Sequence, residues 1–90
     1  MRTRTFDIAE MLKTDEDIHE FLAQAYADGT PEEFIHALNI AARAVGMTEV
    51  AKRAGVTRAS LYKSLSEGGK PQFATIVKVT EALGCKLQVA

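Results

Sequence analysis

Cysteine, tryptophan and proline are scarce in this sequence, and each shortage excludes a class of protein. A single cysteine, Cys85, rules out an internal disulfide and a zinc site built on cysteines. Two prolines and six glycines in 90 residues exclude collagen-like and low-complexity chains. With no tryptophan, four phenylalanines and two tyrosines, the core is expected to be aliphatic.

Long apolar runs are also missing. No stretch of about 18 apolar residues is present to span a membrane, and residues 1–10 contain no apolar signal-peptide segment. We therefore expect a cytoplasmic protein without a membrane contact. At 90 residues, 47% of them hydrophobic and 26% charged, the chain is expected to fold as a single globular domain over 1–90.

The net charge of −1 conceals a strong asymmetry. Residues 1–42 carry nine acidic and three basic side chains, a net charge of −6, whereas residues 43–78 carry seven basic and two acidic ones, a net charge of +5. A chain polarised in this way can offer one face to a polyanion and another to a basic partner. For the acidic half, the simpler alternative that its charges only solvate helix surfaces stays open.

Capping signals and apolar periodicity predict two long helices in the acidic half. Thr14 followed by Asp17, and Thr30 followed by Glu33, have the spacing of capping boxes. The first helix is about 13 residues long and carries one apolar stripe, which consists of Ile18, Phe21, Leu22, Ala25 and Tyr26. The second ends at Gly46 and has a broad apolar face, which is typical of the central helix of a small bundle.

Two shorter helices are predicted next. Thr48 is the expected N-cap of the first, over 49–54, and Thr57 that of the second, over 58–66. Gly55 lies between them and can take the positive φ of a tight turn. This organisation is a helix, a turn and a second helix.

Residues 48–66 have the spacing of a DNA-binding helix-turn-helix. Ala51 is small where two helices must cross closely, Gly55 follows four residues later, and the aliphatic Leu61 comes six residues after that. Short helix pairs with a glycine turn occur in many bundles, but here these constraints coincide with the net charge of +5 on residues 43–78, which include this segment. The segment is therefore predicted to bind DNA.

The second of these helices is expected to lie in the major groove. Leu61 and Leu65 are expected to face the core, and the 100° step per residue then turns Ala59 and Lys63 away from it. Arg58 at the N-terminus is suited to a bidentate contact with guanine O6 and N7, and Ala59 to contact with a thymine methyl group. For Tyr62, packing of the ring on the bundle is an equal alternative. The candidates for base readout are Arg58, Ala59, Ser60, Tyr62 and Lys63.

Phosphate contacts are expected at two helix N-termini and in the following loop, where backbone amides are exposed. The candidates for phosphate binding are Thr48, Thr57, Gly68, Gly69 and Lys70.

A fifth amphipathic helix is predicted over 73–83, followed by a short C-terminal β-strand. The face of this helix consists of Phe73, Ile76, Val77, Thr80 and Leu83. Cys85, Leu87 and Val89 alternate with polar residues, as in a strand. A single strand is not stable alone, so it is expected to pair with residues 3–7, with a second subunit, or with both. The predicted fold is thus an all-α, five-helix domain with one short strand, forming a homodimer through Cys85, Leu87 and Val89.

The helix-turn-helix resembles the Cro/lambda-repressor type, and the chain as a whole resembles HigA-like addiction-module antidotes. The similar segments are FDIAEML at 6–12, DI at 17–18, LYKSLS at 61–66, FATI at 73–76 and ALG at 82–84. The most specific part combines residues 61–65, Gly69 and residues 73–75. The resemblance covers nearly all 90 residues.

The resemblance implies an antitoxin of a type II toxin–antitoxin module, which neutralises a small basic toxin similar to the RelE/HigB ribonucleases. It also implies a repressor of its own promoter that binds double-stranded DNA as a dimer, on an inverted-repeat operator. Repressors of this type carry Gln at the start of the recognition helix, where this chain has Arg58 and Ala59, so the resemblance does not give the operator sequence.

The resemblance does not locate the toxin contact either. The acidic first helix and its approach would complement a basic ribonuclease. The acidic residues in question are Asp7 and Glu10 in the approach and Asp15, Glu16, Asp17 and Glu20 in the helix.

The sequence gives little support for an enzyme. His19 and His36 fall on different predicted helices without a ligand-spaced partner, and no nucleophile elbow or oxyanion loop surrounds Cys85. Residues 67–70 lack the spacing of a P-loop. We predict no enzyme activity, no metal and no cofactor. Two alternatives remain, a stand-alone helix-turn-helix transcriptional regulator without a toxin partner and a helical adaptor that binds only protein.

Overall fold

The computed structural model describes residues 8–66 and 70–85, and every regular element in this part of the chain is a helix. A short 3-10 helix, Ile8–Met11, precedes five α-helices. The five are Asp15–Asp28 (α1), Pro31–Val45 (α2), Met47–Ala54 (α3), Arg58–Leu65 (α4) and Phe73–Ala82 (α5). The predicted all-α class with five helices is confirmed.

Both predicted capping boxes are present at the starts of α1 and α2. The Thr14 hydroxyl oxygen accepts from the Asp17 N–H at 3.0 Å, and an Asp17 carboxylate oxygen accepts from the Thr14 N–H at 3.2 Å. The equivalent distances for Thr30 and Glu33 are 3.2 and 2.8 Å. Each box satisfies two N–H groups that have no partner within the helix, so these two starts are determined by local sequence.

α2 is the central helix, as its broad apolar face predicts. It contacts each of the other α-helices and the 3-10 helix. Leu38, Ala41 and Ala42 are fully buried at its centre, and burial of a leucine side chain contributes about 1.5–3 kcal/mol. The buried hydrophobic side chains are all aliphatic, alanine or methionine, which confirms the expected aliphatic core.

The predicted N-cap at Thr48 is wrong. α3 begins at the buried Met47, two residues before the predicted start at Glu49, and no side chain caps it. Gly46 is the junction, because its N–H donates to the Ala42 carbonyl at 2.8 Å and its carbonyl accepts from the Val50 N–H at 3.0 Å. One residue therefore ends α2 and begins α3, which leaves no place for a separate capping residue.

α3 and α4 are joined by the short turn that Gly55 predicts. Gly55 has φ 74° and ψ 30°, the left-handed conformation. The Val56 N–H then donates to the Ala51 carbonyl at 3.0 Å, and the Thr57 hydroxyl caps α4 by accepting from the Ser60 N–H at 3.0 Å. Val56 packs against the core, so the turn is anchored to both helices.

The described residues, which end at Cys85, include no C-terminal strand. The predicted strand residues Leu87 and Val89, and the proposed pairing segment 3–7, lie outside the described residues. Cys85 does not belong to a strand, because its N–H donates to the Thr80 carbonyl at 3.0 Å in the turn that closes α5. α5 itself ends at Ala82.

Candidate nucleic-acid interface

α4 is attached to the bundle by one side and exposes the other. Leu61 and Leu65 are buried beneath it, as the periodicity predicts. All five side chains predicted to read bases are exposed. They are Arg58, Ala59, Ser60, Tyr62 and Lys63. Arg58 is the first residue of α4, and no acidic residue lies in the first turn. The exposed surface at the N-terminal end of α4 is therefore positively charged.

Arg58 and Tyr62 are in direct contact on this surface. One guanidinium nitrogen of Arg58 (Nη2) donates to the Tyr62 hydroxyl oxygen at 3.2 Å. The guanidinium carbon lies 5.4 Å from the centre of the tyrosine ring, within the range of a cation–π interaction. Tyr62 is 43% exposed. Its ring therefore packs on Arg58 at the surface of α4.

The phosphate candidates are only partly described. Thr48 lies in the first turn of α3, Thr57 caps α4, and both are exposed. Lys70 is also exposed, whereas Gly68 and Gly69 lie outside the described residues. The amide groups at a helix N-terminus attract anions, so Thr48 and Thr57 occupy suitable positions although Thr48 is not a cap.

Arg53 has a role in the fold that the sequence does not reveal. Its Nε donates to the Glu49 carboxylate at 2.9 Å, one turn earlier on α3. Its Nη1 donates to the carbonyl of Ala82 at 3.3 Å, which connects α3 to the end of α5. The second partner is 29 residues away in the chain, and no local pattern points to it.

The acidic surface lies on α1, where Asp15, Glu16 and Glu20 are exposed. Asp17 differs from them because its carboxylate accepts the backbone N–H groups of Lys13 and Thr14. These two hydrogen bonds hold the pKa of Asp17 below its ordinary value. Of the residues that approach α1, Glu10 is exposed and Asp7 lies outside the described residues.

Two aromatic side chains, Tyr26 and Phe73, are exposed although the periodicity placed them on apolar faces. Tyr26 was predicted on the apolar stripe of α1, but it is 59% exposed. Its ring packs edge-on against Phe34 of α2, with centroids 5.6 Å apart and planes at 72°. Phe73 was likewise predicted on an apolar face, but it is 71% exposed at the first position of α5. Residues near helix ends can share an apolar face that no neighbouring helix covers.

The side chains considered for catalysis or metal binding are Cys85, His19 and His36. Both histidines are exposed, and Cys85 is half-buried. Partial burial, and secondarily the charge of Asp15, raise the pKa of the Cys85 thiol, which disfavours the nucleophilic thiolate. Across residues 8–66 and 70–85, no three acidic, histidine or cysteine side chains are grouped closely enough to hold a metal ion.

Comparison with known proteins identifies the family. The model of a family described as probable addiction module antidote protein matches residues 2–90. The chain belongs to this family. A Haemophilus influenzae protein described as uncharacterized is 41% identical over 86 residues, covering 96% of this chain and 89% of its relative. No solved structure gives a significant match.

Membership in the antidote family supports the role of an antitoxin and implies a toxin partner. It also favours a protein that binds over one that catalyses. The predicted family is thus confirmed as an addiction-module antidote, and the HigA-like subtype stays a prediction. In the part of the chain that the structure describes, no helix is long and apolar enough to span a membrane.

Proposed function

We propose that this antitoxin neutralises a RelE/HigB-like toxin and represses its own promoter by sequence-specific DNA binding. In this proposal α3, the Gly55 turn and α4 form a helix-turn-helix of the Cro/lambda-repressor type, and α4 is the recognition helix. The observation that carries the proposal is the exposed surface of α4. Five polar or small side chains project from a helix whose other side is anchored by the buried Leu61 and Leu65.

The net charge of the segment that contains α3 and α4 favours binding of a polyanion. Residues 43–78 carry a net charge of +5, and lysine and arginine contacts to phosphate release counterions from DNA. Thr48, Thr57 and Lys70 are the described residues proposed to contact phosphate, together with Gly68 and Gly69. Such contacts fix the position of the protein on the duplex, and the exposed residues of α4 read the bases.

A homodimer completes the DNA-binding proposal. Two recognition helices about 34 Å apart would contact successive major grooves, so the operator should be an inverted repeat. We propose that Cys85, Leu87 and Val89 lie at the dimer contact. Replacing Leu87 with Asp should place a charge in that contact and yield a monomer by analytical ultracentrifugation. A dimer that survives the substitution would contradict this assignment.

The toxin contact is proposed on α1. This helix exposes three acidic side chains, Asp15, Glu16 and Glu20, whereas the charged side chains of α4 are basic. A basic ribonuclease would be complementary to the acidic surface. The exposed Tyr26, supported by Phe34, adds an aromatic anchor of the kind that contributes strongly to protein interfaces. Asp17 belongs to the same acidic set, but its carboxylate is engaged in the cap of α1.

DNA binding is tested with a labelled duplex that contains the region upstream of the protein's own gene. We expect fluorescence anisotropy to give an affinity that falls steeply between about 50 and 200 mM salt. An unrelated duplex of the same length should bind more weakly at every salt concentration. Absence of binding, or equal affinity for both duplexes, would contradict sequence-specific repression.

The toxin contact is tested by reversing the charge of α1 while leaving its cap intact. The variant carries Asp15→Lys, Glu16→Lys and Glu20→Lys, and retains Asp17. The partner is the product of the adjacent gene, co-expressed with the antitoxin. We expect the variant to lose the co-purified partner, and the control Glu81→Lys on α5 to retain it. Retention of the partner by the triple variant would contradict the proposed contact.

A further inference from the structure

The contact between Arg58 and Tyr62 joins two exposed side chains into one unit. They lie one turn apart on α4, with 3.2 Å between the Arg58 Nη2 and the Tyr62 hydroxyl oxygen and 5.4 Å between the guanidinium carbon and the ring centre. Neither residue packs into the core cluster. The pair therefore holds the guanidinium in place at the surface, at the end of α4 where Arg58 is the first helical residue.

The Arg58–Tyr62 unit offers an approaching group mainly hydrogen-bond donors. An arginine side chain has five N–H donors and no acceptor, whereas a tyrosine hydroxyl both donates and accepts. Here the acceptor side of the Tyr62 hydroxyl is engaged by Arg58. Its own hydrogen is then free to point outward, so the unit presents donors to whatever approaches it.

Among the bases, guanine matches a surface of donors best. Its major-groove edge offers two acceptors, N7 and O6, whereas adenine presents a donor beside its acceptor and cytosine presents a donor. An approach of the unit to adenine or cytosine would oppose donor to donor. Thymine offers a single acceptor, which can satisfy one N–H group but not a bidentate contact.

Holding Arg58 against Tyr62 also affects affinity. A long arginine side chain loses considerable rotamer freedom when it is immobilised at an interface. When Tyr62 orients the guanidinium before DNA arrives, part of that loss has already occurred in the free protein. Tyr62 then improves binding without having to contact the base itself.

We propose that Tyr62 is a positioning residue for Arg58, and that the two side chains together select guanine in the major groove. The inference rests on the proposed DNA-binding function, and it assigns the base class that the recognition helix prefers. Tyr62 contributes through the orientation of Arg58, so its effect depends on both the presence of Arg58 and the identity of the base.

The test uses a double-mutant cycle on a defined duplex. The wild-type protein first selects a preferred sequence from a pool of random duplex DNA, and each selected guanine is then replaced in turn. Tyr62→Phe removes the hydroxyl but retains the ring beneath the guanidinium, and Arg58→Ala removes the donor group. Gln24→Ala is the control, because it truncates an exposed, uncharged polar side chain on α1 to which no binding role is assigned.

We expect one selected guanine to depend on both residues. Arg58→Ala should weaken binding to that duplex about 10- to 100-fold and abolish the preference for guanine at that position. Tyr62→Phe should weaken it about 3- to 10-fold and have less than about a twofold effect when Arg58 is already alanine. Gln24→Ala should leave the affinity for every duplex unchanged.

Several results would overturn the inference. An equal loss from Tyr62→Phe in the wild-type and Arg58→Ala backgrounds would mean that Tyr62 acts independently of Arg58. A loss of the same size on the guanine duplex and on its substituted form would mean that Tyr62 contacts phosphate. Either result leaves the proposed function standing. If the wild-type protein enriched no sequence at all, the proposed DNA-binding function would fail, and this inference with it.

Discussion

Two glycines at the ends of α3 allow a sharp test of the backbone geometry. Gly46 has φ 119° and ψ 118°, whereas Gly55 has φ 74° and ψ 30°. An added Cβ would meet nothing within 4 Å at either position. The loss of stability on Gly→Ala therefore arises from the backbone conformation and not from steric contact with neighbouring atoms. The two substitutions should nevertheless differ, because their backbone angles do.

The magnitude follows from the allowed regions of φ and ψ. The left-handed region at Gly55 costs an L residue about 1–2 kcal/mol, and the reduced freedom of the unfolded chain offsets about 0.4–1 kcal/mol of this. Gly55→Ala should therefore cost about 1 kcal/mol. Gly46 lies outside the three regions that L residues use, and Gly46→Ala should cost about 2–3 kcal/mol, a large share of the stability of a small domain.

The assay is urea and thermal unfolding followed by circular dichroism at 222 nm. We expect Tm to fall by about 5 °C for Gly55→Ala and by at least about 10 °C for Gly46→Ala. Gly55→Asn should cost less than Gly55→Ala, because asparagine tolerates the left-handed region. Equal costs at Gly46 and Gly55, or a greater cost for Gly55→Asn than for Gly55→Ala, would refute the reasoning.

Three further predictions concern DNA contacts and helix caps. Lys70→Ala should weaken binding to all duplexes alike and reduce the salt dependence by about one counterion, while Arg58→Ala should relax base preference; equal behaviour of both variants in salt titrations would contradict their assigned roles. Thr30→Ala should lower the free energy of unfolding by about 1 kcal/mol in urea, because it removes half of a capping box; no change would contradict it. The lowered pKa of Asp17 means that its carboxylate stabilises α1 above the ordinary value of 3.8 and that this contribution is lost as the pH falls through and below that value. The difference in urea midpoint between the wild type and Asp17→Asn should therefore shrink from pH 6 to pH 3, and a difference that grows toward acid would show the wrong sign.

Helix starts that depend on hydrogen bonds between nearby residues are predictable from sequence. The Thr14 and Thr30 caps depend on residues three positions away, and both are present as predicted. The Thr48 cap was wrong because its position depends on Gly46, whose unusual φ and ψ let one residue serve two helices. A capping residue is recognised by type, but whether a junction leaves room for it is decided by the path of the backbone.

In the candidate site, too, features that depend on local periodicity were predictable and those that depend on tertiary packing were not. The periodicity of α4 correctly predicted that Leu61 is buried and that its opposite side is exposed. The exposure of Tyr26 and Phe73 was not predictable, because periodicity defines a face and does not say which neighbouring element covers it. The link from Arg53 to the Ala82 carbonyl joins residues far apart in the chain, and only the packing of α3 on α5 brings them together.

Native mass spectrometry of the protein, purified after expression from its own locus with both flanking genes intact, tests the antitoxin role most directly. We expect a complex that contains this chain and a second small, basic chain, and the mass of that second chain would identify the toxin. A bare homodimer would contradict the neutralisation of a toxin and would favour a stand-alone transcriptional regulator.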